Sequence, residues 1–131
     1  MSKRIKKLLN AALRARKKAY APYSKFKVGA ALETSGGKIF TGCNVENASY
    51  GATCCAERTA IFKAVSEGFK KFRSIAIVAN YKEPCPPCGI CRQVISEFGK
   101  DIEVIMANTK GKVIIKKIKE LLPHAFSPHF L

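Results

Sequence analysis

Acidic residues are scarce in this sequence. Nine Asp and Glu stand against 24 Lys and Arg, which gives a formal net charge of +15 over 131 residues, and the first acidic residue is Glu33. Such a charge indicates either a nucleic-acid partner or a solvated, Lys-rich surface. The basic residues crowd positions 3–18 and 110–119, but no RNA-binding signature is present and no aromatic residue between Lys3 and Lys18 could stack on a base. We therefore favour the solvated surface and expect no nucleic-acid partner.

Long hydrophobic runs are also missing. No apolar stretch approaches the roughly 20 residues of a membrane span, and the N-terminus has no secretory signal core. We therefore expect a cytoplasmic protein without a membrane partner. In a reducing compartment its six cysteines would be free thiols, not a disulfide framework. Cys43, Cys54 and Cys85 are then most simply small buried hydrophobes.

The basic N-terminal segment has two interpretations. A mitochondrial transit peptide is similarly basic and poor in acidic residues. However, the apolar residues recur at the i, i+3, i+4, i+7 and i+8 positions of an ordinary core-facing helix stripe. These residues are Ile5, Leu8, Leu9, Ala12 and Leu13. We therefore favour a structural helix.

The order of predicted elements defines the fold class. Helices are predicted at 3–20 (stopped by Pro22), 55–67 and 88–98, with a short helical turn at 119–122. Strands are predicted at 26–33, 38–44, 74–79, 102–107 and 112–116, and the first two form a hairpin around residues 35–37. The length, the 47% hydrophobic content and the absence of linkers and repeats predict one domain spanning residues 1–131. We expect an α/β fold, a three-layer α/β/α sandwich with a mixed five-stranded sheet.

Three cysteines and a glutamate form the most informative motif. Cys55 and Glu57 stand two residues apart, and Cys88 and Cys91 form a Cys-x-x-Cys about thirty residues later. Three protein ligands on a tetrahedral zinc leave the fourth position for water, and a carboxylate that is not a ligand can then move that water's proton. Both groups lie at predicted helix starts, where free N–H groups favour thiolates. The spacing therefore predicts a catalytic zinc site.

Two other metal sites compete for these cysteines. A closed structural zinc site would need a fourth cysteine, and Cys54 or Cys85 is available. The spacing of Cys85, Cys88 and Cys91 is also typical of part of an iron–sulfur motif, but position 95 is Ile where a further Cys would be needed. The combination with the upstream Cys and Glu favours the catalytic site.

A site with three thiolates needs compensation of its charge. Three thiolate charges on a dication leave a net charge of −1, which weakens the activation of bound water. Arg58 and Arg92 each follow closely after a ligand and could donate hydrogen bonds to sulfur. The alternative is that both arginines are ordinary surface residues.

With these motifs in place, the sequence resembles the cytidine deaminase family, in its small class with three Cys ligands. The resemblance covers nearly the whole chain. It rests on residues 20–26, 28–32, 42–48, 55–60, 87–94 and 121–126. It implies hydrolysis of cytidine and deoxycytidine to uridine and deoxyuridine with release of ammonia, in pyrimidine salvage.

The resemblance also implies catalytic roles. Cys55, Cys88 and Cys91 would hold one zinc ion per subunit. Glu57 would take a proton from the zinc-activated water and deliver it to N3 of the ring and then to the leaving amine.

Further implied roles concern the substrate and the assembly. The backbone of Ala56 would hold the base, Asn44 and Glu46 would bind the ribose 3′-hydroxyl, and Phe26 would pack on the nucleoside. From the residues alone, 44–47 would instead be interpreted as a turn after a strand.

A homotetramer with shared active sites is a further implication of the resemblance. Phe126 would stack on the base from a neighbouring subunit, and Tyr50 would lie at the subunit interface beside the site. Two other functions remain open: deamination of a cytosine-bearing nucleoside antibiotic, and editing or binding of nucleic acid.

Overall fold

A computed structural model of the protein describes every residue from Met1 to Leu131. Five strands form one mixed sheet in the order β2-β1-β3-β4-β5. The strands are β1 (Val28–Thr34), β2 (Ile39–Cys43), β3 (Phe72–Ala79), β4 (Glu103–Asn108) and β5 (Val113–Lys117). Neighbouring strands are antiparallel except β3 and β4, which are parallel. The predicted mixed five-stranded sheet is confirmed.

Helices cover both faces of this sheet. They are α1 (Lys3–Arg16), α2 (Ala56–Ser66), α3 (Gly89–Glu97) and the short α4 (Ile118–Leu121), with single 3₁₀ turns at Tyr50–Ala52 and Pro128–Phe130. Because successive side chains of a strand point to opposite faces, β3 contributes to two cores. Ile75 and Ile77 pack with residues of α2 and α3, whereas Ala76 and Val78 pack with residues of α1. The result is a three-layer α/β/α arrangement.

Two glycines bring the helices close to the sheet. A Cβ at Gly29 would lie 1.9 Å from the carbonyl oxygen of Ala12 in α1. A Cβ at Gly42 would lie 2.5 Å from the backbone nitrogen of Ala60 and 2.6 Å from the carbonyl oxygen of Ala56, both in α2. Any larger residue at these positions would push a helix away from its strand. Gly42 therefore helps to set the position of α2, whose N-cap and first turn carry four of the predicted site residues, Cys55, Ala56, Glu57 and Arg58.

The guanidinium of Arg4 connects α1 to three strands. It donates to the carboxylate of Glu33 in β1 at 2.6 Å, to the hydroxyl of Ser74 in β3 at 3.0 Å and to the carboxylate of Glu103 in β4 at 2.8 Å. Ser74 also donates to Glu103 at 2.9 Å. This network fixes the first turn of α1 on the sheet and had no counterpart in the sequence analysis.

The predicted end of the first helix is wrong. The helix ends at Arg16 rather than near Tyr20, because the backbone of Tyr20 is used elsewhere. Tyr20 donates to the carbonyl of Asn44 at 2.9 Å and accepts from the N–H of Glu46 at 2.8 Å. Residues 44–46 are therefore extended and paired, which excludes a simple turn there. The helix stripe is confirmed in part, since Leu8 and Ala12 are buried but Leu13 is 37% exposed.

The remaining predicted elements agree with the structure to within two residues at each end. None of the helices combines the length and the apolar character that a membrane span requires.

Candidate metal centre and active site

The N-termini of α2 and α3 bring the three predicted cysteine ligands together. Cys55 is the N-cap residue of α2, Cys88 is the N-cap residue of α3, and Cys91 lies in the first turn of α3. Their three sulfur atoms all lie within 4.8 Å of one another. Cys91 is fully buried and Cys88 is exposed, so the cluster is closed on the protein side and open on the other.

The geometry of this cluster fits zinc. The Sγ atoms of Cys55 and Cys88 are 3.7 Å apart. Two sulfur atoms at about 2.3 Å from a tetrahedral zinc would be about 3.8 Å apart. Three soft thiolate donors at this separation suit Zn²⁺ and leave room for a fourth ligand from solvent or substrate.

The competing four-cysteine sites do not match the structure. The metal-competent group contains Cys55, Cys88 and Cys91 but neither Cys54 nor Cys85. The thiol of Cys54 accepts a hydrogen bond from the hydroxyl of Thr59 at 3.6 Å instead. Burial raises the pKa of Cys85 to about 12, which keeps that thiol protonated. The three-ligand site is therefore the one that the fold assembles.

Ionisation within the cluster is already biased toward a thiolate. A hydrogen bond from the Cys91 thiol, opposed by burial and assisted by Arg58, lowers the pKa of Cys55 to about 5. The pKa of Cys91 is raised in turn, because the Cys55 thiolate holds its proton and because it is buried. Cys55 is thus a thiolate at neutral pH, and metal binding would release the Cys91 proton.

Glu57 lies beside the cluster without belonging to it. It is the second residue of α2 and is only 4% exposed. Burial raises the pKa of its carboxyl to about 7; its own backbone N–H partly opposes this shift, and the Cys55 thiolate adds to it. A carboxyl that titrates near neutrality can both accept and release a proton, as a general acid–base group must.

A cavity of about 260 Å³ opens over Glu57 and the cysteine cluster. Its volume lies just below the range of about 300–1,000 Å³ for ligand pockets, which suits one small molecule. Its wall includes seven of the predicted site residues, namely Phe26, Asn44, Glu46, Cys55, Ala56, Glu57 and Cys88. The fold therefore brings residues from four separate stretches of the sequence to one site.

Comparison with known proteins agrees with this chemistry. The family model described as "Cytidine and deoxycytidylate deaminase zinc-binding region" matches residues 2–108. The chain belongs to this deaminase family. It is 50% identical over 124 residues to a cytidine deaminase from Sporosarcina psychrophila, which covers 94% of this chain and 91% of the relative. The family consists of zinc-dependent hydrolases, so the predicted enzyme class is confirmed.

One solved structure and a second relative extend this comparison. The crystal structure of a cytidine deaminase from Burkholderia pseudomallei superposes with a TM-score of 0.91 at 53% identity, covering 96% of this chain and all of that chain. A blasticidin-S deaminase from Bacillus cereus is 36% identical over 108 residues, or 76% of either chain. The chain is thus also similar, at a lower level of identity, to a protein named as a blasticidin-S deaminase.

The two arginines expected to compensate the charge of this deaminase site differ in position. Arg58 donates from Nη2 to the Cys55 sulfur at 3.3 Å and to the carbonyl of Thr53 at 3.4 Å. Arg92 instead donates from Nε to the carbonyl of Pro87 at 2.9 Å and from Nη1 to the carbonyl of Leu121 at 2.9 Å. The expected hydrogen bond from Arg92 to a ligand sulfur is therefore wrong, because two backbone carbonyls occupy its guanidinium. Arg92 holds the segment before Cys88 against the end of α4.

Asn44 has a structural role beside its predicted one. Its Oδ1 accepts from the N–H of Val28 at 2.8 Å, and its Nδ2 donates to the carbonyl of Phe26 at 2.8 Å. These bonds fix the start of β1 next to the cavity. One amide hydrogen and one oxygen lone pair of the side chain remain for a ligand.

Tyr50 and Phe126 do not line the cavity of their own chain. Tyr50 is 76% exposed and lies with Tyr23 in a neighbouring depression. Phe126 is 59% exposed and stacks on Phe130, with ring centroids 5.8 Å apart. The single chain therefore leaves both aromatic rings available to other surfaces.

Five residues of the cavity wall were not predicted as part of the active site: Ser24, Val28, Thr53, Cys85 and Pro86. Ser24 follows Tyr23 in a segment that the resemblance already covered, so its position was visible but its contacts were not. Cys85 and Pro86 lie two to three residues before Cys88 of the Cys-x-x-Cys segment, and this proximity was the available signal.

Proposed function

We propose that this protein deaminates cytidine and deoxycytidine to uridine and deoxyuridine, releasing ammonia, in pyrimidine salvage. The observation that carries the proposal is the placement of a buried Glu57 beside three convergent thiols, with Glu57, Cys55 and Cys88 in the wall of a cavity of about 260 Å³. We take residues 1–131 to form one deaminase domain. Its six unpaired thiols suit the cytoplasm.

Cys55, Cys88 and Cys91 would hold one zinc ion per chain. When bound, zinc supplies the Lewis acidity that makes water reactive at neutral pH. The Arg58 guanidinium, next to the Cys55 sulfur, offsets part of the thiolate charge.

Glu57 carries the proton transfers. Attack of water on C4 of the cytosine ring needs a base for the water and an acid for N3. The amine then needs a second proton, which Glu57 can take from the new hydroxyl on C4 as the C4 carbonyl forms and ammonia leaves. One carboxyl can therefore serve all of these steps in turn. With a pKa of about 7, Glu57 can both accept and donate a proton near neutral pH. Its burial also keeps bulk water from competing for the proton.

The sugar would be bound on the other side of the cavity. A hydroxyl group needs both an acceptor and a donor. The carboxylate of Glu46 and the free amide hydrogen of Asn44 can provide them. Phe26 would pack against the nucleoside, and the backbone of Ala56, at the start of α2, would hold the base.

A homotetramer would complete this site. The exposed ring of Phe126 would stack on the base in a neighbouring subunit, and Tyr50 would lie at the interface beside it. The exposure of both rings in the single chain supports this arrangement. Closed symmetric assemblies are the usual form of homo-oligomers.

One parallel assay tests the reaction. The loss of ultraviolet absorbance is followed with cytidine, deoxycytidine, cytosine, adenosine and a single-stranded oligonucleotide, and the metal content of chelator-free protein is measured alongside. We expect turnover of cytidine and deoxycytidine, and about one zinc per chain. Activity on the oligonucleotide alone, or a fully active protein without metal, would refute the proposal.

Deamination of a nucleoside antibiotic is the second candidate. It is supported by the similarity to a blasticidin-S deaminase. The retained Asn44 and Glu46, which suit a ribose hydroxyl, favour cytidine. Adding blasticidin S to the parallel assay decides between the two, since the preferred substrate has the higher kcat/KM.

A further inference from the structure

The loop between α1 and β1 contains a serine that contacts two of the proposed substrate-binding residues. The hydroxyl of Ser24 donates to Oε2 of Glu46 and accepts from the backbone N–H of Phe26 at 2.9 Å. A hydroxyl can donate once while accepting, so both bonds exist together. Ser24 thus connects the carboxylate proposed for the sugar to the aromatic residue proposed for the nucleoside.

The backbone of the same loop holds the other carboxylate oxygen. The N–H groups of Tyr23 and Ser24 both donate to Oε1 of Glu46 at 3.1 Å. The three hydrogen bonds together fix both oxygens of Glu46 in one orientation. The Ser24 hydroxyl, followed by its backbone N–H, also holds the pKa of Glu46 below its usual range. The carboxylate therefore stays charged and keeps a remaining lone pair for a ligand.

The backbone conformation of the loop indicates that its contacts with Glu46 are a fixed part of the fold. Lys25 has φ 62°, a left-handed conformation that a lysine rarely adopts. Its N–H donates to the carbonyl of Ala21 at 3.0 Å, which closes the turn. Strained residues of this kind persist where surrounding contacts determine the backbone, and they cluster at binding sites. The hydroxyl of Ser24 bonds both to Glu46 and to the backbone N–H of Phe26, the residue after Lys25. These contacts determine the backbone conformation at Lys25.

We propose that Ser24 is a positioning residue that orients Glu46 toward the sugar 3′-hydroxyl, and so sets the preference of the enzyme for nucleosides that carry this group. The inference rests on the proposed cytidine deamination and on the role of Glu46 in it. Ser24 acts through Glu46, so its contribution exists only for substrates with a hydroxyl at that position.

The test compares two substrates in matched variants. Ser24→Ala removes the hydroxyl, Ser24→Thr retains one, and Ser66→Ala makes the same truncation at the exposed end of α2. Each variant is assayed with cytidine and with 2′,3′-dideoxycytidine, which lacks the 3′-hydroxyl. Zinc content and melting temperature are measured to confirm that the fold is intact.

For Ser24→Ala we expect KM for cytidine to rise about tenfold, the typical effect of losing a hydrogen bond to a charged group, while kcat changes little. The kcat/KM for 2′,3′-dideoxycytidine should match wild type. Ser24→Thr should recover most of the affinity for cytidine, and Ser66→Ala should behave as wild type with both substrates.

Two results would overturn the inference alone. These are an unchanged KM for cytidine in Ser24→Ala, and an equal loss on both substrates, which would mean that Ser24 only supports Phe26 or the loop. A wild-type protein that does not deaminate cytidine would overturn the proposed function, and this inference with it.

Discussion

At the scale of single residues, Glu57 is the group on which the proposed chemistry depends. Glu57→Gln keeps the shape and the burial of the side chain but cannot accept a proton. We expect zinc and nucleoside binding to persist while kcat falls by about 10⁴-fold or more, because one carboxyl serves several proton transfers. Steady-state kinetics with metal analysis measures this. Glu97→Gln on the exposed side of α3 is the matched control and should be neutral. A Glu57→Gln protein with activity within about tenfold of wild type would refute the role.

Arg58 assists the ionisation of Cys55 through its contact with the Cys55 sulfur. The low pKa of Cys55 depends first on the Cys91 thiol and then on Arg58, so Arg58→Gln should move that pKa upward from about 5. The thiolate absorbance of metal-free protein, titrated with pH, should show its midpoint at higher pH than in wild type. Turnover by the zinc-loaded variant should fall, and the rate should begin to rise at a higher pH than in wild type. Arg14→Gln on the surface of α1 is the control. An unchanged thiol titration with full activity would make Arg58 a surface residue.

The sequence predicted which residues form this site better than it predicted their hydrogen-bond partners. The spacing of Cys55, Glu57 and the Cys-x-x-Cys pair fixes the chemistry, because helix N-termini bring such residues together in few ways. A spacing pattern does not tell which acceptor a long side chain reaches. Arg92 donates hydrogen bonds to two backbone carbonyls, whereas a bond to a ligand sulfur was expected. Ser24 was missed for the same reason, since its partner Glu46 lies 22 residues away.

At the scale of secondary-structure elements, the position of α2 depends on Gly42. In Gly42→Ala the new Cβ would meet backbone atoms of Ala56 and Ala60 at 2.5–2.6 Å, and backbone cannot move aside as a side chain can. We expect a loss of about 2–3 kcal/mol in the free energy of unfolding, as for other overpacked cores. Weaker retention of zinc should follow, because α2 carries Cys55. Urea unfolding and competition with a chelator measure the two effects. Gly36→Ala, where nothing lies within 4 Å, is the control. Equal stability of the two variants would contradict this account.

The attachment of α1 depends on Arg4 and varies with pH. Burial alone would raise the pKa of Glu103, but hydrogen bonds from Arg4 and Ser74 hold it below its usual value of 4.5. A carboxyl whose pKa is lowered by folding contributes stability above its unfolded pKa and loses that contribution as pH falls through the folded pKa. Arg4→Ala should therefore cost about 2 kcal/mol near neutral pH, because it leaves Glu33 and Glu103 without their cation.

The deficit of the Arg4→Ala variant should shrink in acid. Urea unfolding near neutral pH and again at about pH 3 gives the comparison, with Arg14→Ala on the same helix as the control. A deficit that is constant across this range would mean that Arg4 contributes packing and not an ion pair.

Element order was predictable, whereas the first helix end was not. The apolar run of β3 and the turn at residues 35–37 are local signals, and the strands that they predict lie within two residues of the observed bounds. The end of α1 is decided by Tyr20, whose N–H and carbonyl pair with Asn44 and Glu46. That pairing joins segments more than twenty residues apart, so no local pattern could reveal it. The same pairing fixes Glu46 next to the loop that holds its carboxylate.

At the scale of the whole molecule, Phe126 is the proposed substrate-binding residue whose position decides between a site within one chain and a shared site. The cavity has Phe26 on its wall, but the ring of Phe126 lies outside it and is mostly exposed. The chain segment before Phe126 is anchored by Arg92, and the Phe126 carbonyl accepts from the side chain of Gln93 at 2.8 Å. These contacts fix the backbone on the outside of α3 and present the ring outward. An outward-facing ring at this position is what the proposed homotetramer requires.

Mixing two inactive variants tests whether the sites are shared. Glu57→Ala lacks the proton carrier and Phe126→Ala lacks the stacking ring, so each should be nearly inactive alone. If Phe126 acts in a neighbouring subunit, co-refolding equal amounts should restore about a quarter of the sites, because each site then needs one intact group from each of two randomly chosen chains. If Phe126 acts within its own chain, no site regains both groups. Subunit exchange is verified with differently tagged chains, and Phe62→Ala, which truncates an exposed ring on α2, serves as the control for loss of an aromatic side chain. Activity no higher than the sum of the separate variants, despite proven mixing, would exclude the shared site.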